Sequence, residues 1–215
     1  MAVFAQKLQI RTGITAIIGS GGKTSLLYRL AAELSHSRVI VTTSTHIWKP
    51  AHLPYQEHIE EVRVGQPVCT GTPCENGKLS APQQHFDELA ALADYVLVEA
   101  DGSKGRPLKA HEPQEPVLPK HADQVIAVLG LSGLGQRISE AAHRPALYAR
   151  LADTTVDATV TAELAAKVLN REALHTRVLL NQAEGRLFNA KTLAAFLSCP
   201  VVIASLQEGE ILCSF

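Results

Sequence analysis

Residues 14–30 read Ile14-Thr-Ala-Ile-Ile-Gly19-Ser-Gly-Gly-Lys23-Thr24-Ser-Leu-Leu-Tyr-Arg-Leu30. The apolar run at the start predicts a buried strand, and the amphipathic run after Thr24 predicts a helix. A glycine turn between a strand and a helix is typical of a loop that cradles nucleotide phosphates, because glycines let backbone N–H groups approach the oxygens. We expect Lys23 to lie near the β- and γ-phosphates and Thr24 to hold Mg²⁺. Next to Lys23 and Thr24, five more residues are expected to contact the nucleotide: Gly19, Ser20, Gly21, Gly22 and Ser25.

The glycine loop is shorter than the common phosphate loop, which has four residues between its first glycine and the Gly-Lys-Thr triplet. Only two residues separate Gly19 from Gly22 here, so we expect a shortened or differently bent loop. One alternative is an ordinary glycine turn, although a lysine in the first helical turn opposes the helix dipole unless an anion binds there. A second alternative is a dinucleotide fingerprint beginning at Gly19. Thr24 then replaces its third glycine, and residues 41–45 lack the acidic ribose ligand.

The composition indicates a single globular domain over residues 1–215. The chain has 46% hydrophobic residues and a net charge of −1, with no basic block that would favour nucleic acid. It lacks an apolar run long enough for a membrane span or a signal peptide. The four cysteines are scattered, which is typical of reduced thiols. We therefore expect a cytoplasmic protein with no nucleic-acid or membrane partner.

Short apolar runs alternate with helical patterns, which predicts a doubly wound, mainly parallel α/β sheet of the P-loop NTPase type. A proline-punctuated segment, residues 47–82, interrupts this alternation and predicts a β-rich insertion or lid. Residues 2–13 are expected to form a short edge strand and a turn that ends at Gly13, and Ser80 is expected to cap a helix. The predicted strands are 14–18, 38–42, 95–99, 124–129, 177–181 and 200–204.

Polar side chains follow two of these strands at their carboxyl ends, where ligands bind in parallel sheets. Thr43 and Thr45 would hold a Mg²⁺-bound water, a phosphate or a substrate group, or would simply cap the loop. Glu99 and Asp101 end a buried strand, and charged residues are seldom buried unless paired or metal-linked. We expect at least one of the two acids to serve the metal.

A basic loop follows these acids. Lys104 and Arg106 would neutralise charge on a transferred phosphoryl group, or would lie in a solvated loop paired with nearby glutamates.

Several motifs resemble the YqeC family, over about Thr15 to Ser205. They are Gly-Ser-Gly-Gly-Lys-Thr-Ser-Leu-Leu, Val-Thr-Thr-Ser-Thr-His-Ile, Val-Glu-Ala-Asp-Gly-Ser-Lys-Gly-Arg-Pro-Leu-Lys, Val-Leu-Gly-Leu-Ser-Gly-Leu-Gly and His143-Arg144-Pro145. The family is described as accessory proteins of selenium-dependent molybdenum hydroxylases. The resemblance implies a P-loop nucleotide-binding fold and a role in maturing or supplying that cofactor.

The tetrad Asn181-Gln-Ala-Glu184 ends another predicted strand. It resembles the Asn-Lys-x-Asp element with which many P-loop GTPases recognise guanine, although Gln182 replaces the lysine and Glu184 the aspartate. We expect Asn181 to contact the base. Ser205 lies at the carboxyl end of the last predicted strand, where such folds also place base-contacting backbone.

These features favour a Mg²⁺-dependent P-loop nucleoside triphosphatase that binds ATP or GTP. The resemblance to the YqeC family implies that its partner is a molybdenum hydroxylase or a cofactor-maturation protein. A small-molecule kinase acting on a cofactor precursor is one alternative, with Lys104 or Arg106 as a clamp. A nucleotide-sensing module that does not turn over is another.

Overall fold

The structure, a computed structural model, describes residues 3–215. The chain divides into two compact units. The first unit comprises residues up to Ile18, Thr24–Gly102 and Val117–Val125; the second comprises Gly19–Lys23, Ser103–Pro116 and Ile126–Phe215. Each unit contains its own set of neighbouring strands. The single domain expected over residues 1–215 stays a prediction.

The elements that lie wholly or mainly in the first unit are α1 (Val3–Lys7), β1 (Gly13–Gly19), α2 (Lys23–Glu33), β2 (Val39–Thr43), β3 (His46–Trp48), β4 (Val68–Cys69), β5 (Thr72–Pro73), β6 (Lys78–Ser80), α3 (Phe86–Leu92) and β7 (Tyr95–Glu99). Four of the strands are parallel neighbours in the order β1-β7-β2-β4. In the register, Glu99 of β7 lies opposite Ile17 of β1 and opposite Thr43 of β2. The ends of these three strands therefore lie side by side.

The first unit is held together by apolar side chains of these strands. Ile14, Ile40 and Val96 are buried in one cluster, together with Leu89 of α3. The strands are apolar along nearly their whole length because a parallel strand is covered on both faces. Ile59, Val62 and Val68, from the segment between β3 and β5, join the same cluster.

The segment predicted as a β-rich insertion, residues 47–82, does contain short strands. β3, β6 and β5 form an antiparallel sheet in that order. The turn between β5 and β6 includes Asn76 and Gly77 with φ of 77° and 71°, the positive values that an Asn-Gly hairpin turn requires. Whether this segment acts as a lid stays a prediction.

The elements that lie wholly or mainly in the second unit are β8 (Leu108–Lys109), β9 (Gln124–Gly130), α4 (Ile138–Ala141), β10 (Ala142–His143), α5 (Pro145–Ala152), α6 (Ala162–Glu172), β11 (Arg177–Asn181), α7 (Leu187–Ala195), β12 (Val201–Ser205) and β13 (Glu210–Ser214). β9, β11 and β12 are parallel neighbours, and β13 runs antiparallel to β12. β8 and β10 form a separate parallel pair. Thr161 caps α6, where its hydroxyl accepts a hydrogen bond from the Leu164 amide at 3.3 Å.

The prediction of an α/β protein with mainly parallel strands is confirmed. The predicted strands agree with β1, β2, β7, β9, β11 and β12 to within one residue at each end. None of the helices among residues 3–215 is long and apolar enough to cross a bilayer.

Two local predictions are wrong. The segment expected to form a short edge strand forms the helix α1 instead, because Phe4, Ala5 and Leu8 are buried at helical spacing. Residue 2 of this segment lies outside the described residues. The expected helix at Ser80 begins instead at Phe86. Ser80 is paired in β6, whereas the backbone N–H of His85 donates to the Glu88 carboxylate at 3.1 Å, which fixes the start of α3.

Candidate functional site

The glycine loop joins the end of β1 to the start of α2. Gly19, Gly21 and Gly22 have φ of 90°, 86° and 134°, a region that side chains disfavour. The helix begins at Lys23, so the first N–H groups of α2 have no acceptor within the helix. Positive-φ glycines followed by a helix N-terminus are typical of anion-binding loops.

The loop lies directly against neighbouring backbone of the second unit. The Ser20 amide donates to the Val128 carbonyl at 2.8 Å, and its hydroxyl donates to the Arg106 carbonyl. A Cβ atom added at Gly21 would lie only 2.4 Å from the Cα atom of Gly130. Ser20 and Gly21, both expected to contact a nucleotide, therefore also determine how the loop packs.

Lys23 is 4% exposed, although it begins a helix. Its Nζ atom donates to the Gly19 carbonyl at 2.7 Å and to the Ser103 hydroxyl at 3.3 Å. The ammonium group therefore folds back over the start of the loop, where it would meet an anion. Sequence reasoning did not select Ser103, and its position two residues after Asp101 was the available signal.

In the first unit, a hydrogen bond joins Thr24, the second residue of α2, to Glu99, the last residue of β7. The Thr24 hydroxyl donates to the Glu99 carboxylate at 2.7 Å, and Glu99 is 7% exposed. Asp101 is fully buried in the same unit. A hydroxyl next to a carboxylate offers the hard oxygen ligands that Mg²⁺ prefers.

Thr43 stabilises this strand end through the main chain. Its hydroxyl donates to the main-chain carbonyl of Glu99 at 2.8 Å and accepts from the Thr45 amide at 3.0 Å. The predicted metal ligands Thr24, Thr43 and Glu99 are thus brought together, with Thr43 on the backbone side. Among residues 3–215, no group of three or more histidine, cysteine or acidic side chains is arranged to hold a metal. A nucleotide-bound Mg²⁺ needs fewer, because it is bound through one or two protein groups plus phosphates and waters.

Tyr28 lies one helical turn after Thr24 on α2. Burial raises the pKa of its phenol to about 12, and the nearby Glu99 carboxylate acts in the same direction. The phenol therefore stays protonated at neutral pH. Its ring packs edge-on against His52, with 4.5 Å between ring centroids, so a residue of the 47–82 segment contacts the helix that carries Thr24.

In the basic loop of the second unit, Lys104 and Arg106 lie in different surroundings. Lys104 is exposed, with a positive φ of 50°. The Arg106 guanidinium donates to the main-chain carbonyl of Glu140, so this cation already has a partner. Ser25, on the exposed side of α2 in the first unit, is accessible to solvent.

The predicted base-contacting residues make bonds within the second unit. Asn181 is 5% exposed. Its Nδ2 atom donates to the Gly21 carbonyl at 2.7 Å, and its Oδ1 atom accepts from the Leu206 amide at 2.9 Å. The Ser205 hydroxyl donates to the Glu184 carboxylate and accepts from the Glu208 amide at 3.1 Å. Both side chains therefore serve the packing of strand ends in this structure.

Fold and site define an α/β protein with mainly parallel strands and a glycine loop between its first strand and the following helix. The chain belongs to the YqeC family, whose model, described as "YqeC protein", matches residues 15–146. A relative from Escherichia coli (strain K12), named "Uncharacterized protein YqeC", is 36% identical over 167 residues. That match covers 71% of this chain and 65% of the relative, slightly under two thirds of the relative's length. No solved structure matches the chain.

Proposed function

We propose that this protein is a P-loop nucleotide-binding protein that binds Mg²⁺ with ATP or GTP and hydrolyses the nucleotide. The observation that carries the proposal is the 2.7 Å hydrogen bond from the Thr24 hydroxyl to the Glu99 carboxylate. In P-loop enzymes, the metal is bound jointly by the Ser or Thr after the lysine and by an acid at the end of a strand. Burying a carboxylate is costly unless it is paired, hydrogen-bonded or bound to a metal, and a metal beside Thr24 would use both groups.

The loop residues would bind the phosphates. Backbone N–H groups at the start of α2 would donate to phosphate oxygens, and the Lys23 ammonium would exchange its bond to the Gly19 carbonyl for one to phosphate. Lys23 and Thr24 are consecutive residues, so the phosphate and metal contacts would follow one another along the chain. Mg²⁺, when bound, would supply charge neutralisation on the β- and γ-phosphates.

The role in the cell is part of the same proposal. The resemblance to the family implies an accessory factor in maturation of a selenium- or molybdenum-containing hydroxylase. Nucleotide hydrolysis would then accompany handover to that partner protein. A P-loop fold supports many reactions, so this role rests on the family resemblance and not on the site geometry.

The test compares wild type with Lys23→Ala and with Lys191→Ala, an exposed lysine on α7 that serves as control. Binding of ATP, GTP and tripolyphosphate is measured by isothermal titration calorimetry with Mg²⁺ present. Lys23→Ala should weaken binding roughly 10- to 100-fold, because a hydrogen bond to a charged group is worth about 1.5–3 kcal/mol and about 1.4 kcal/mol is tenfold. Lys191→Ala should bind as wild type does.

Phosphate release on the best-binding nucleotide then identifies the reaction. The proposal expects release that depends on Mg²⁺ and is lost in Lys23→Ala. Binding without release, alone or with a partner hydroxylase added, would instead indicate a nucleotide sensor. Wild type that binds neither nucleotide, or Lys23→Ala that binds both unchanged, would refute the proposal.

A further inference from the structure

Asn181 connects the glycine loop to the ends of two strands in the second unit. Its amide group bonds on both sides, with Nδ2 to the Gly21 carbonyl at 2.7 Å and Oδ1 from the Leu206 amide at 2.9 Å. A Cβ atom added at Gly22 would lie 2.4 Å from the same Nδ2 atom. The loop therefore fits around the Asn181 amide, and Gly22 provides the space for it.

This bond fixes the direction of one peptide group in the loop. In a trans peptide, the carbonyl and the following N–H point in opposite directions. When the Gly21 carbonyl points at Asn181, the Gly22 N–H must point away from it. A rotated peptide would instead turn the Gly21 carbonyl, with its partial negative charge, to the opposite side of the loop, where it would repel an anion.

The other polar side chains of the tetrad are engaged in the same manner. The Gln182 Oε1 atom accepts from the Ser132 hydroxyl at 2.6 Å, and the Glu184 carboxylate accepts from Ser205. The side chains of Asn181, Gln182 and Glu184, in the tetrad expected to recognise a base, therefore all form hydrogen bonds within the chain. A base would have to replace well-formed bonds, each costly to leave unmade.

We infer that Asn181 is a positioning residue for phosphate recognition, which holds the Gly21–Gly22 peptide so that its N–H group faces the anion. The inference rests on the proposed nucleotide binding. It differs from the base-contact hypothesis in what Asn181 affects: the affinity for the phosphate chain, whatever base is attached. The ligand chemistry it concerns is therefore a polyphosphate group.

The decisive variant is Asn181→Asp. It keeps the shape of the side chain and the acceptor for the Leu206 amide but replaces the donor to the Gly21 carbonyl with a second acceptor. The matched control is Gln182→Glu, which makes the same amide-to-carboxylate change one residue away and keeps the acceptor for Ser132. Asn181→Ala, which removes the anchor without adding charge, is the second variant.

Binding of ATP, GTP and tripolyphosphate is measured for all four proteins. Asn181→Asp should weaken the binding of all three ligands by the same factor, about tenfold or more. The reason is that the variant loses the hydrogen bond to the Gly21 carbonyl and also places two acceptor oxygens against each other. Asn181→Ala should weaken all three by a smaller common factor. Gln182→Glu adds a negative charge close to the loop, since its Oε1 atom lies beside Gly130, and therefore measures the effect of charge alone. Asn181→Asp should weaken binding clearly more than Gln182→Glu does, and an equal loss in both variants would overturn the inference.

A second readout follows the peptide itself. In ¹⁵N-labelled wild type, tripolyphosphate should shift the Gly22 amide resonance strongly. In Asn181→Asp, at matched saturation, that shift should be reduced while other loop amides still respond. Thermal unfolding without ligand shows whether the variants are folded at the temperature of the binding experiment.

Other outcomes overturn the inference in recognisable ways. A changed ratio of ATP to GTP affinity with unchanged tripolyphosphate affinity would identify Asn181 as a base reader. A lower unfolding temperature with all affinities and the Gly22 shift unchanged would assign it a merely structural role. If wild type binds none of the three ligands, the proposed function itself fails, and this inference fails with it.

Discussion

Replacing Gly21 by alanine tests the close approach on which the shape of the glycine loop depends. The added Cβ atom would lie 2.4 Å from Cα and 2.5 Å from N of Gly130, whereas ordinary contacts are 3.4–4 Å. The two backbones must therefore separate by about 1 Å or the side chain must distort. The loop would lose the geometry that its bonds to β9 and β11 maintain.

The expected cost has two parts. The φ of 86° at Gly21 adds about 1–2 kcal/mol for any residue with a Cβ atom. Overpacking against Gly130 adds about 1–3 kcal/mol. The free energy of unfolding of Gly21→Ala should therefore fall by about 2–5 kcal/mol.

Gly65 provides the matched control. Its φ is 85°, nearly the same as at Gly21, but an added Cβ atom would have nothing within 4 Å. Gly65→Ala should therefore show only the backbone strain of about 1–2 kcal/mol. The difference between the two variants isolates the contact with Gly130.

Urea unfolding of both variants, followed by circular dichroism, measures these free energies. The nucleotide affinity of each variant is measured as well, and Gly21→Ala should lose affinity while Gly65→Ala keeps it. Equal destabilisation of the two variants would refute the reasoning, because it would show that the loop does not lie against Gly130. Unchanged nucleotide affinity in a destabilised Gly21→Ala would refute the link between loop packing and binding.

Two further predictions concern charged groups. Glu99→Gln keeps an acceptor for Thr24 but removes the charge, so the Mg²⁺ concentration needed for nucleotide binding should rise about tenfold. The affinity for tripolyphosphate without metal should stay unchanged. An unchanged MgCl₂ titration, or an equal effect in the exposed control Glu60→Gln, would contradict this prediction. Hydrogen bonds from Arg38 hold the pKa of Asp94 below its ordinary value, so this carboxylate contributes stability that is present above about pH 4 and is lost as the pH falls through its lowered pKa. Asp94→Asn should therefore lower the unfolding temperature at pH 7, and its difference from wild type should shrink towards pH 3; a difference that stays constant with pH would contradict the assignment.

Much of the fold was predictable because its elements have local signals. Strands such as β2 and β11 are short apolar runs, since parallel strands are buried on both faces. The loop at Gly19 and the acids at Glu99 and Asp101 were recognisable for the same reason, because each follows such a run directly. The start of α3 is not recognisable because Ser80 looks like a helix cap locally, whereas Ser80 in β6 pairs with His46 in β3, more than thirty residues away.

The sequence by itself determined the strand–loop–helix at residues 14–30 and the family, and it indicated which strand ends carry polar groups. These are properties of neighbouring residues, expressed through hydrophobic period and glycine spacing. Only the tertiary structure decided what those polar groups contact. Thr24 and Glu99 are 75 residues apart in sequence, and Asn181 and Gly21 are 160 apart. Asn181 bonds to the loop because strand order, and not sequence distance, decides which strand ends become neighbours. The expected contact between Asn181 and a base stays a prediction.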